Sequence, residues 1–209
     1  MKRLLLLALF TFSRATAAEP APLDTAIAQG DTPAVQRLLA AQPELIRTPG
    51  AGKMLPLHQA ILRKKADIVA LLLERGADLN APDPSLRTPL HLAVERSDPA
   101  LVKTLLARRA DPTARDRLGW TPLHHAAAKD KIELARLLLD GGAKPNFLSE
   151  LGGTPLHEAA AGASAAMVQL LLDRGTDPTI RSKPGVTALD LAREFKNTAA
   201  IEMLEKVKR

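Results

Sequence analysis

An all-α solenoid, made of stacked helix-turn-helix units joined by short β-turn loops, is the fold class this sequence predicts. Three observations predict it. The phrase Thr-Pro-Leu-His stands at Thr88–His91, Thr121–His124 and Thr154–His157, 33 residues apart each time. A second apolar segment follows at the same spacing, at Leu71-Leu72-Leu73, Leu105-Leu106, Leu137-Leu138-Leu139 and Leu170-Leu171-Leu172. Both ends of the chain carry degraded copies of these two signals. A fixed period of this length marks supersecondary units that can bury their apolar faces only against one another.

The register divides residues 18–209 into an N-terminal cap at 23–52, internal units at 53–85, 86–118, 119–151 and 152–184, and a C-terminal cap at 185–209. In the first cap, Leu23-Asp24-Thr25-Ala26 replaces the phrase. Val35, Leu38 and Leu39 precede Val69, Leu72 and Leu73 by 34 residues, so one extra residue falls in the loop Thr48–Lys53. The next unit opens with Leu55-Pro56-Leu57-His58, which lacks the Thr. Elsewhere Thr before Pro predicts a helix start: the hydroxyl caps a free amide, and Pro suits the first helical position. Small runs such as Ala126-Ala127-Ala128 and Ala159-Ala160-Ala161 allow close helix contact. The second helix carries an apolar stripe, as in Ile132, Leu134, Leu137 and Leu138. Gly76, Gly142 and Gly175 then supply the left-handed residue that ends a helix, with Arg109 as the exception in that slot. The last cap opens at Thr187-Ala188-Leu189-Asp190. It closes on the charged residues Glu202, Glu205, Lys206, Lys208 and Arg209, which suit a solvent-facing helix.

Residues 1–17 read as a separate element. Lys2 and Arg3 precede the apolar run Leu4–Phe10, and small residues follow at Ala15-Thr16-Ala17-Ala18. This is the pattern of a cleavable secretory signal. The run is short of the roughly 20 residues a membrane span needs, so an uncleaved anchor is the weaker alternative. Loss of Lys2, Arg3 and Arg14 leaves 26 basic residues against 23 acidic ones, and the charge falls from +6 to +3. The mature chain keeps Trp120, Phe147 and Phe195 as its aromatics, too few for a base-stacking platform. No cysteine is present, so disulfides play no part in this fold.

The repeated phrase, the leucine segments and the Gly-x-Asp ends (Gly76 with Asp78, Gly175 with Asp177) resemble the ankyrin repeat over residues 23–209. Behind an export signal, the chain is similar to small exported ankyrin proteins of Gram-negative bacteria. The resemblance implies a periplasmic or secreted monomer with no cofactor. It implies that His91, His124 and His157 hydrogen-bond the Thr of their own phrase, with His58 lacking that partner. It also implies that partners are held on the concave face, by loop tips and first helices. The positions so placed include Arg87, Arg96, Arg115, Arg117, Trp120, Lys129, Arg181 and Lys183.

Other chemistries find little support. Successive His slots lie on stacked helices about 8–10 Å apart, whereas zinc ligands must converge to about 2 Å from one ion. No Cys, G-x-S-x-G elbow or phosphate-cradling loop occurs, so no catalytic residue is assigned. The expected function is protein–protein interaction with a partner that carries an acidic patch. A polyanion binder (extracellular DNA, an anionic glycan or lipid headgroups) and a secreted host-directed effector are the alternatives.

Overall fold

The computed structural model describes residues 23–207. The expected export signal lies outside the described residues. The described chain is helical throughout: α1 (Leu23–Gln29), α2 (Thr32–Ala41), α3 (Pro56–Leu62), α4 (Ala66–Glu74), α5 (Pro89–Glu95), α6 (Pro99–Ala107), α7 (Pro122–Ala128), α8 (Ile132–Asp140), α9 (Pro155–Gly162), α10 (Ala165–Asp173), α11 (Ala188–Glu194) and α12 (Thr198–Val207). Two 3-10 turns, Pro43–Arg47 and Ala51–Lys53, fill the stretch that carries the extra residue. Each odd-numbered helix packs on the even-numbered helix after it and on the odd-numbered helices beside it. The odd-numbered first helices therefore form one layer and the even-numbered second helices another.

The first helices begin as the sequence demands. Thr88, Thr121 and Thr154 are extended N-caps, Pro stands at the first position, and the His three residues on closes a reciprocal capping box. The apolar residues between these caps are fully buried: Leu90, Ala93, Leu123, Ala126, Leu156 and Ala159 are all 0% exposed. Small side chains at Ala93, Ala126 and Ala159 let neighbouring first helices approach closely. The second helices seal the core with Leu72, Leu105, Leu138 and Leu171, also 0% exposed. Of their N-caps, Asp31, Asp98 and Ser164 accept an amide, while Lys65 and Lys131 provide no side-chain cap.

Three columns of the repeat take left-handed backbone; the first follows the first helices, at Gly30, Lys64, Ser97, Asp130 and Lys196. At the ends of the second helices φ is +79° for Gly76, +94° for Gly142 and +83° for Gly175, and Arg109 is forced to +66°. At the turn tips φ is +73° for Gly119, +76° for Gly152 and +83° for Gly185, and Leu86 is forced to +62°. A Cβ on Gly119 would stand 2.6 Å from the Glu150 amide of the next turn, so that position also needs glycine for space. Arg109→Gly and Leu86→Gly are each expected to stabilise the fold. A left-handed L-residue costs roughly 1–2 kcal/mol, and the added chain entropy of Gly offsets part of that. Urea unfolding should show a raised midpoint for both variants, and an unchanged or lower one would mean that the side chains hold compensating contacts.

Candidate functional site

The turn tips are built from one recurring unit. Asp83, Asp116, Ser149 and Ser182 each donate their amide to the carbonyl four residues on, at Arg87, Trp120, Gly153 and Val186. Where the turn opens with Asp, the carboxylate also gathers backbone donors. Asp116 Oδ1 accepts from the amides of Leu118 and Trp120, each at 2.9 Å. Adjacent tips are tied together by main-chain bonds, Arg117 N to Ser85 O (3.0 Å), Glu150 N to Leu118 O (2.9 Å) and Lys183 N to Leu151 O (2.8 Å). The tips thus form a continuous edge along the first-helix layer.

The histidines staple one unit to the next. His91 Nδ1 accepts from the Thr88 amide at 3.1 Å and faces the Thr88 hydroxyl at 3.0 Å, while Nε2 donates to Trp120 O at 3.1 Å. His124 repeats this with Thr121 and with Gly153 O. His157 does so with Thr154 and Val186 O. Burial pushes His91 and His124 down to about 4, partly opposed by the carbonyl each one reaches, so both are neutral at pH 7. His58 reaches Ala81 O at 2.9 Å, and its Nδ1 is buried with no partner, as the missing Thr implies. Among the described residues, no group of three His, Asp or Glu side chains is placed to hold a metal ion.

Trp120 sits at the middle of this edge, but not as an open loop residue. In the structure it is half-buried, stacked on His124 (centroids 6.1 Å apart, 23° between planes) and edge-on to His125 (5.1 Å, 69°). The cause is the residue at position 125. His125 Nε2 bonds Asp116 Oδ2 at 2.9 Å, and the two side chains are nearly buried, so the imidazole makes a platform for the indole. Sequence reasoning missed this Asp116–His125 pair. The signal that could have revealed it is the 33-residue column Gln59, Leu92, His125, Glu158, Leu191, in which polar residues enter an otherwise apolar helix face.

The basic positions divide into engaged and free groups. Arg87 is held by Asp83 at 2.7 Å and by Glu95 at 2.9 Å. Burial raises the Asp83 carboxyl, but the Arg87 side chain and backbone donors outweigh it and hold the group below its usual range. Arg115 pairs with Glu150 at 2.8 Å and lies 5.7 Å from the centre of the Phe147 ring. Arg117 donates to Pro84 O at 2.6 Å, and Arg181 donates to Gly185 O at 2.6 Å with Asp190 4.0 Å away. Arg96 and Lys129 cap the C-terminal ends of α5 and α7 and are exposed, as is Lys183. Arg117, Arg181 and Lys183 thus follow the tips, whereas Arg96 and Lys129 lie at the far ends of the first helices. Leu118 and Leu151 are 61% and 71% exposed on neighbouring tips, flanking Trp120 in the register.

A cleft of about 390 Å³ lies elsewhere, between α4 and α6, lined by Ile61, Val69, Leu73 and Leu101. Ala70 and Thr104 also line it. Arg96 lines it as well, but Trp120, His124 and His125 do not.

The family model for ankyrin repeats (3 copies) matches residues 23–116 and again 90–182. A stretch of 55 residues is 46% identical to the serine/threonine-protein kinase VIK of Arabidopsis thaliana. That stretch is 26% of this chain and only 13% of the plant protein, so the chain spans a small fraction of that relative's length. The similarity lies in repeat units and carries no catalysis across. With the capping boxes, the left-handed helix ends and the two-layer stack in place, the chain belongs to the ankyrin-repeat family.

Proposed function

We propose that this chain is an exported binding module that holds another protein on its concave first-helix face, without chemistry of its own. Ankyrin repeats are in general protein–protein interaction modules. The observation that carries the reading is an apolar patch where the repeat does not need one. The half-exposed indole of Trp120 and the exposed Leu118 and Leu151 adorn the tips, at positions that the stack fills with many residue types. Apolar anchors inside a polar rim are the anatomy of a protein interface.

Arg96, Arg117, Lys129, Arg181 and Lys183 make that rim basic, and they favour a partner with an acidic patch. Arg87 and Arg115 add little to this field, since Asp83, Glu95 and Glu150 already compensate them. The main competing reading, a polyanion binder, rests on the same cations. Salt separates the two. Binding dominated by phosphate or sulfate contacts weakens steeply as salt rises, whereas binding anchored on Trp120 should lose affinity only modestly.

Export rests on the Lys2-Arg3 start, the apolar run and the small residues before Glu19. Intact-mass measurement on protein from a bacterial periplasm should show a chain beginning at Ala18 or Glu19. A mass that still includes residues 1–17 would mean an anchored form.

A further inference from the structure

Three polar residues enter the column that faces the turn tips from the first helices: Gln59, His125 and Glu158. Two of them donate to a carboxylate. Gln59 Nε2 reaches Asp24 Oδ1 at 2.8 Å, and His125 Nε2 reaches Asp116 Oδ2 at 2.9 Å. Glu158 is itself a carboxylate, and the turn residue in its register is Ser149, whose hydroxyl accepts the Gly153 amide at 3.1 Å. No hydrogen bond or ion pair reaches the Glu158 carboxyl from the described residues. Where the preceding units place Arg87 and Trp120 over this slot, this unit has Gly153. A Cβ there would stand 3.6 Å from Glu158 Oε1, so the buried Gly153 sets no side chain beside the partly buried carboxyl, and the notch is the place that side chain would fill. His124 ties the notch to the central aromatic, because its ring stacks on Trp120 and its Nε2 bonds Gly153 O at 3.2 Å.

We propose that the notch at Gly153 receives one basic side chain, lysine or arginine, of the polypeptide bound on the first-helix face, with its cation paired to Glu158 and the Trp120–His124 stack as the adjoining wall. The proposal rests on reading that face as protein-binding. A long cationic side chain suits the site, since its stem can lie on apolar surface while its head meets the carboxylate. The charged and titratable groups on the surrounding elements are occupied elsewhere: His124, His125 and His157 by their own acceptors, Glu150 by Arg115, Asp190 by Thr187, and Arg193 by Glu205. Lys183 on the next tip makes no side-chain bond. Burial alone pushes the Glu158 carboxyl up to about 7. The free site therefore ionises near neutrality, and a bound cation draws that midpoint down. The pairing strengthens as pH rises through about 7 and fades below it.

The test pans a random dodecapeptide library on the whole protein in mildly alkaline buffer. Selected peptides should be rich in Lys or Arg. Their affinity should fall about tenfold or more with Glu158→Gln, with Trp120→Ala, and on moving to mildly acid buffer, which protonates the free carboxyl. The acid loss should vanish in Glu158→Gln. That variant keeps the shape and removes the charge, and its melting temperature reports on folding. Peptides that lose affinity in Trp120→Ala but ignore Glu158→Gln would overturn the notch and leave the binding face standing. Peptides indifferent to Trp120→Ala, or a library that yields no binder, would overturn the face and the notch together.

Discussion

His124→Ala should destabilise the protein by about 3 kcal/mol, the largest single effect expected of any polar side chain in the stack. His124 is 0% exposed, and it satisfies three groups at once. Its Nδ1 takes the Thr121 amide at 3.1 Å and faces the Thr121 hydroxyl at 2.9 Å, and its Nε2 donates to Gly153 O at 3.2 Å in the following unit. Alanine strands the buried Thr121 amide and takes from the Gly153 carbonyl one of its two donors, leaving it the Ser149 amide. The stranded amide costs about 1–3 kcal/mol, the lost inter-unit bond about 1 kcal/mol, and the emptied volume adds a cavity term. Part of this is recovered by water entry or relaxation, so the sum stays near the lower bound. The loss falls on the bond between two units in the middle of a one-dimensional stack, where interface energy decides cooperativity. Urea unfolding would measure it, and a loss below about 1 kcal/mol would show that the histidine fills space rather than stapling units. The same burial fixes a pH dependence. His91 and His124 titrate at about 4 when folded and near 6.5 when unfolded. The unfolded chain therefore takes up their protons first. The stability they contribute is fully present above about pH 6.5 and is lost as pH falls through about 4.

Trp120→Ala should weaken partner binding by about 2 kcal/mol or more, roughly thirtyfold. The indole stands at the centre of the tips, between the exposed Leu118 and Leu151 in the register, and Arg117 and Lys129 lie on either side of it along the chain. Its contacts with His124 and His125 fix its orientation before a partner arrives, so little rotamer entropy is lost on binding. Those contacts also link it to the fold. A stability loss of about 1 kcal/mol should accompany the binding loss, in line with the worth of an aromatic pair. A variant that melts many degrees lower while binding survives would mark Trp120 as core. The binding face would then have to be sought among the second helices.

Periodicity made the architecture legible. The Thr-Pro-Leu-His recurrence located three of the first helices and its degraded copies the others, and the leucine segments located the second helices, because each unit repeats both its local geometry and its neighbours. The forced left-handed conformation at Arg109 followed from Gly76, Gly142 and Gly175 in the same column. Leu86 is the same case at the turn tips, readable from Gly119, Gly152 and Gly185, although its own side chain hides it. The site was less legible because it depends on contacts across the period. That Arg87 is neutralised depends on Glu95 eight residues on, and Arg115 on Glu150 in the next unit. Basic residues counted along the chain therefore overstated the free charge of the face. Trp120 was located by sequence, but its packing was not, since that needs the imidazole of His125 held by Asp116. Glu158 became notable only beside the empty place left by Gly153.

The most direct test of the central claim places a photo-crosslinking amino acid at two exposed positions, one on each side of the stack. Lys129 caps the far end of α7, the first helix that Trp120 precedes, and the exposed Arg136 lies on the second helix α8. In cells producing the protein, the probe at Lys129 should give a discrete adduct with another protein, abolished by Trp120→Ala, and the probe at Arg136 should give none. An adduct from Arg136 that survives Trp120→Ala, with none from Lys129, would contradict the account and move the binding face to the opposite layer.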